Sequence, residues 1–216
     1  MSTLYVIRHG QASFGAVDYD NLTDLGREQS LALGKWLQRL EIDAVYTGPR
    51  RRHRDTTRLM CEAYGAIPES IEVAGLDEYP AEVIMRRALA GGDVPAEPGT
   101  FQAAFEKIMH GWVRGDHDHH PDVEPFRTFA ARVADALRRI MADTGRGKTI
   151  VAVTSAGPMS IALQMTLEVG DAVALRTSWV VANTAITEIK FRDDEVTLVA
   201  FNGTPHLPER RLITYR

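Results

Sequence analysis

The chain has 216 residues, 44% hydrophobic and 25% charged, which is enough for one sizeable core and ordinary for a water-soluble domain. A formal charge of −4 argues against a protein held to nucleic acid by bulk electrostatics, and a single cysteine, Cys61, excludes an internal disulfide framework and fits a reducing compartment. No apolar run approaches the ~20 residues that span a bilayer, and no basic-then-apolar leader opens the chain, so a cytoplasmic protein with no membrane partner is expected.

The first predicted element is a buried strand, Leu4 to Ile7, running directly into Arg8, His9, Gly10 and Gln11. A polar loop follows to Asn21. A helix is predicted from Leu22 onward, with Thr23 as N-cap, Asp24 and Glu28 near the positive end of the dipole, and Leu25, Leu33, Trp36, Leu37 and Leu40 as its core stripe. Asp43 to Thr47 reads as a second strand, followed by Gly48-Pro49, with the proline placed to open a helix. That helix starts with Arg50, Arg51, Arg52, His53 and Arg54. Arginines at a helix N-terminus oppose the macrodipole unless an anion sits there, so at least one should point inward at such an anion. Arg50, Arg51 and Arg54 fit a solvated face better.

A third strand is predicted at Ile71 to Gly75, running into Leu76, Asp77, Glu78 and Tyr79. Val83 to Leu89 and Phe101 to Trp112 read as helices separated by a loop, Gly91 to Gly99, rich in glycine and proline. His117, Asp118, His119, His120 and Asp122 resemble a metal cluster only in composition. No regular element spaces them, and a solvated loop is the simpler reading. Phe126 to Met141 carries the cleanest helical stripe in the chain, closed by Gly145. Thr149 to Thr154 is a continuous apolar strand of the parallel-sheet kind, emptying into Ser155, Ala156, Gly157 and Pro158, with a helix from Met159 to Leu167. Ala185 to Arg192 and Val196 to Phe201 are the last two strands, joined by a turn at Asp193-Asp194.

The expected architecture is a single α/β domain, residues 1–216, with a mostly parallel central sheet flanked by helices. Residues 79–125 would form a variable lid over the pocket. In such a sheet ligands gather where strands end, and four junctions carry chemistry there: Arg8-His9, Arg52, Glu78 and Ser155-Ala156-Gly157. Arginine suits the oxygens of a phosphate, and a neutral imidazole suits attack on its phosphorus. A carboxyl completes a phosphoryl-transfer set. No Walker-type glycine loop is present.

These residues resemble the histidine phosphatase superfamily, the phosphoglycerate-mutase-like group, over nearly the whole chain. Arg8-His9-Gly10-Gln11 is similar to its signature, in which the histidine is phosphorylated and the arginine binds the phosphoryl group. Leu22-Thr23 with Gly26 and Gln29 is similar to the next motif. Pro49, Arg52 and Thr56 have the spacing of the second phosphate-binding arginine, which selects Arg52 from its cluster. Leu76-Asp77-Glu78 resembles the segment bearing the acid, with Glu82 as the alternative because Tyr79-Pro80-Ala81-Glu82 replaces a common Gly-Trp-Glu-Gly continuation. Asn202 with His206-Leu207 resembles a C-terminal pattern of the group.

One departure stands out: Ala156 occupies the place of a second histidine that, by the resemblance, helps hold the transferring group. The Ser155 hydroxyl, backbone N–H groups at the Pro158 helix start, or His206 could supply the lost donor. If nothing fills that space, Ala156→His should raise turnover.

The resemblance therefore implies a phosphatase that hydrolyses a phosphate monoester through a phosphohistidine, with His9 and Glu78 catalytic and Arg8, Arg52, Gln11 and Ser155 binding phosphate. The arginines replace the charge of a metal, so no metal or other cofactor is called for. The partner is a small phosphorylated molecule. A phosphoglycerate-mutase-type transfer and a weakened phosphate-ligand binder are the alternatives, the latter because of Ala156.

Overall fold

The computed structural model describes residues 1–13, 20–65, 68–89, 98–143, 145–193 and 195–215. Most of the predicted loops 11–21 and 91–99 lie outside those residues. A six-stranded sheet carries the fold. Its strands are β1 (Ser2–Arg8), β2 (Ala44–Thr47), β3 (Ile71–Glu72), β4 (Thr149–Thr154), β5 (Ile186–Arg192) and β6 (Glu195–Gly203), in the order β3-β2-β4-β1-β5-β6. β3, β2, β4 and β1 run parallel, and β5 and β6 add an antiparallel edge.

Burial on both faces explains the unbroken apolar runs of β1 and β4. On one face Tyr5, Ile7, Val151 and Val153 pack with Leu33, Leu37 and Met60 from α1 (Asp24–Leu37) and α2 (Arg51–Tyr64). On the other, Leu4, Val6, Ile150 and Ala152 join a larger core with Phe126, Phe129, Val133 and Leu137. The shared helices there are α5 (Phe126–Asp143) and α6 (Ala156–Leu167). α3 (Ala81–Ala88) and α4 (Pro98–Arg114) fall in the segment predicted as a lid, and Trp112 is fully buried against Phe126 and Phe129. Among the described residues no helix is long and apolar enough to cross a membrane.

Several boundaries differ from the sequence reading. Thr23 does cap α1, accepting the Gly26 N–H at 3.0 Å. Pro49, however, does not open α2. The helix begins at Arg51 with Arg50 extended as its N-cap, because the Asp20 carboxylate accepts the N–H groups of Arg51 (2.7 Å) and Arg52 (3.5 Å). α6 starts at Ala156, two residues before Pro158, since a proline in the first turn loses no intrahelical hydrogen bond. β3 is cut to two residues by a 3-10 turn, Ala74–Leu76, where Gly75 passes so close to α5 that a Cβ would lie 2.6 Å from that of Ala136. α7 (Asp171–Ser178) was not foreseen. Its eight residues bury only Ala174, Leu175 and Ser178, too few for a readable stripe.

Candidate active site

The C-terminal ends of β1 and β4 are adjacent, with the His9 N–H donating to Thr154 O at 2.8 Å. That contact brings His9 beside Ser155. Gly10 then packs against α1 so tightly that a Cβ would lie 2.4 Å from Gly26 O, which accounts for glycine at that position. Thr56 holds α2 to the same spot: its hydroxyl donates to Arg52 O (2.7 Å) and accepts the Gly10 N–H (3.0 Å). One threonine thus fixes the first turn of α2 against the residue after His9.

His9 is buried, and its two ring nitrogens have different partners. Nδ1 donates to Gly10 O at 2.7 Å, which leaves Nε2 as an acceptor, and Arg52 Nε donates to it at 3.0 Å. Burial pushes the imidazole pKa well below its ordinary value, and the positive charges of Arg52 and Arg8 push the same way. A neutral imidazole whose Nε2 keeps its lone pair is a competent nucleophile once the Arg52 hydrogen bond gives way.

Arg52 is itself buried and braced. Nη1 pairs with Asp20 at 2.8 Å and Nη2 donates to Ser155 Oγ at 3.5 Å. The anion that an arginine-rich helix start requires is therefore supplied partly by Asp20. Arg51 and Arg54 are exposed, as the solvated-face reading has it, but Arg50 is not a bystander. Its Nε pairs with Asp77 at 2.5 Å and its Nη2 donates to Glu78 O at 3.3 Å.

The Glu78 segment is tied to β4 by the Thr154 hydroxyl, which donates to Leu76 O at 2.6 Å. Arg132 of α5 donates to Gly75 O and Asp77 O from below while pairing with Glu124. The Glu78 carboxylate accepts the Gly157 N–H on Oε2 at 3.2 Å and the Tyr79 N–H on Oε1 at 3.1 Å. Glycine at 157 makes room for it, because a Cβ there would sit 2.1 Å from Glu78 Oε1. Burial pushes the carboxyl pKa above its usual range; Arg52 and the two N–H groups oppose that shift without reversing it. Glu82, the alternative acid, is exposed on α3.

The structure thus links His9, Arg52 and Ser155 through one guanidinium, and sets Glu78 on the residue after Ala156. Arg8 and Gln11 are turned to other partners. Arg8 Nη1 donates to the carbonyls of Val181 and, at 2.9 Å, Tyr215, although its charge still bears on His9. The Gln11 side chain accepts from the Thr23 hydroxyl at 2.9 Å. Of the three groups considered for the Ala156 side, the Gly157 N–H is taken by Glu78, and His206 Nε2 lies 2.9 Å from the Thr184 hydroxyl. The Ser155 hydroxyl is in place, 2.6 Å from His53 Nε2.

Sequence reading missed two members. His53 lay hidden among arginines, though its position next to Arg52 on the first turn was a usable signal. Asp20 sits in a polar loop with no pattern to mark it. Among the described residues no three His, Cys, Asp or Glu side chains converge as a metal site, and Asp122 is paired with Arg87 at 2.8 Å.

The chain belongs to the histidine phosphatase superfamily (branch 1), whose family model matches residues 4–204. Its fold is similar to that of YhfR from Bacillus stearothermophilus, at 20% identity and a TM-score of 0.71 over 96% of this chain and 100% of that one. It is also similar to a mutant phosphoserine phosphatase from Entamoeba histolytica in complex with phosphoserine, with 20% identity, TM-score 0.67 and coverage of 96% and 100%. A mycobacterial glucosyl-3-phosphoglycerate phosphatase with bound inorganic phosphate gives 20% identity, TM-score 0.68 and coverage of 94% and 98%. Comparison with curated protein sequences gave no match.

Proposed function

We propose that the protein is a phosphatase that hydrolyses a small phosphate monoester through a phosphohistidine at His9. The observation that carries this reading is the His9–Arg52 pair: a buried neutral imidazole whose Nε2 lone pair faces a guanidinium 3.0 Å away. Substrate phosphate takes the guanidinium from His9, and the freed Nε2 attacks phosphorus in line. The P–N bond forms as the P–O ester bond breaks. Glu78, whose protonated form burial favours, gives its proton to the leaving oxygen. The resulting carboxylate then removes a proton from water, whose oxygen attacks phosphorus and breaks the P–N bond. Phosphate leaves, with His9 neutral and Glu78 protonated again.

Arg52 neutralises the phosphoryl oxygens, and Asp20 keeps its guanidinium in register. Arg8 contributes charge from beside His9, and Ser155 contributes a hydroxyl. Gln11 ties the signature loop to the cap of α1. α3 and α4, the described helices of the segment expected to form a lid, are proposed to select the leaving group. Phosphatases among the structural neighbours and the family match support this reading. Its test is a panel of phosphate monoesters offered to the purified protein, with His9→Ala as control. Turnover of at least one monoester, lost in the control, is expected; no phosphate release from any of them contradicts it.

A further inference from the structure

His53 is fully buried on the first turn of α2, and phosphoryl transfer to His9 gives it no task. Its surroundings are costly for an imidazole: burial and three arginines, Arg52, Arg50 and Arg54, all disfavour its protonated form. The backbone makes specific room for it. Gly48 stands against the ring, and a Cβ at that position would lie 2.3 Å from His53 Nδ1. Its Nε2 is 2.6 Å from the Ser155 hydroxyl, and its ring centre is 5.6 Å from that of His9. Ser155 Oγ is in turn 3.5 Å from Arg52 Nη2, the far end of the guanidinium whose Nε touches His9. His9, Arg52, Ser155 and His53 therefore form one buried chain, on the side where Ala156 offers no donor.

We infer that His53 is a positioning residue for the transferring phosphoryl group, orienting the Ser155 hydroxyl so that it donates to a phosphoryl oxygen on the Ala156 side. The inference rests on the phosphohistidine reading of the site. We assign the His53 proton to Nε2, because Nδ1 has no hydrogen-bond partner among the described residues. Nε2–H then donates to Ser155 Oγ, and the Ser155 O–H, having given its acceptor site to the imidazole, points its proton at the anion. Arg52 Nη2 turns from Ser155 to the same anion, so each donor keeps a partner and no proton moves. A hydroxyl held by a buried imidazole is preorganised, which is what makes a donor effective against developing charge.

The test compares the full chain with His53→Ala, His53→Gln, Ser155→Ala and the His53→Ala/Ser155→Ala pair. Turnover of a cleaved monoester and inhibition by orthovanadate, a probe of the five-coordinate phosphorus geometry, are measured for each. His53→Ala and Ser155→Ala should each lower kcat and vanadate affinity by about 10²-fold, and the pair by little more than either alone, because the two act as one unit. His53→Gln, which keeps a side-chain N–H in reach of Ser155, should recover at least about tenfold of the loss. Ala156→His should bring no gain, since the space already has its donor.

Vanadate affinity within about threefold of the wild type in both single variants overturns the inference, as do fully additive losses. If His53→Ala does not fold, His53→Gln and Ser155→Ala decide: equal large losses with no recovery in the glutamine variant mean a structural histidine. A wild type that hydrolyses no monoester overturns the phosphatase reading instead, and the vanadate comparison still judges His53.

Discussion

Arg52 Nε donates a hydrogen bond into His9 Nε2 at 3.0 Å, so the nitrogen proposed as the nucleophile is occupied in this structure. On the proposed mechanism the guanidinium exchanges this bond for one to the phosphate before His9 attacks. Binding and activation of the nucleophile are thereby one event. Lysine could supply the charge of Arg52 but not its fork, which reaches His9, Asp20 and Ser155 from different nitrogens. Arg52→Lys should lower kcat/KM by about 10²–10³-fold, measured by steady-state hydrolysis of an accepted monoester. Asp20→Ala should cost about 1 kcal/mol of stability through the lost cap of α2, read from denaturant unfolding.

The two groups proposed as catalytic are pushed in opposite directions: burial lowers the pKa of His9 and raises that of Glu78. Both shifts favour the forms the mechanism uses, a neutral imidazole and a protonated carboxyl. A plot of kcat/KM against pH should be bell-shaped, falling on the acid side as His9 gains a proton and on the alkaline side as Glu78 loses one. Glu78→Gln should abolish the alkaline limb and lower kcat by about 10²–10⁴-fold. An unchanged alkaline limb would move the acid's role to another residue.

Glycine at 157 is a steric requirement of Glu78, the proposed acid. A methyl group there would meet Glu78 Oε1 at 2.1 Å and the Tyr79 ring at 2.7 Å. Gly157→Ala should therefore displace Glu78 and lower kcat by at least about tenfold, with about 1–3 kcal/mol lost in stability from overpacking. Kinetics and thermal unfolding of the one variant check both.

Three buried imidazoles make the fold acid-sensitive. His206 has its pKa lowered by burial from 6.5 to about 4, and His9 and His53 are lowered as well. Each is neutral in the folded chain and takes up a proton on unfolding once the pH drops below about 6.5, so the unfolded state binds more protons and stability falls with pH. The loss from His206 develops between about pH 6.5 and 4 and amounts to about 3 kcal/mol at most. His206→Gln should flatten that part of a plot of unfolding free energy against pH.

Much of this was legible in the chain itself. The strand ends at Ile7 and Thr154 were plain because both strands are apolar on both faces, and Thr23 announced its helix by its own chemistry. Arg52 stood out only by its spacing from Pro49 and Thr56. What could not be read were contacts across the fold. Asp20 caps α2 from thirty residues away, and Arg50 turns back from its supposed solvent face to Asp77 and Glu78. His53 looked like one more polar residue on a basic helix, because its proposed role depends on Ser155 arriving from beyond the end of β4, about a hundred residues away.

The most direct test of the central claim is capture of the phosphoryl group itself. The protein is mixed with a radiolabelled monoester, quenched in alkali within a turnover, and the labelled residue is located. The account predicts acid-labile, alkali-stable label on His9, absent from His9→Ala. Steady hydrolysis with no label on His9, or label that survives His9→Ala, would contradict it.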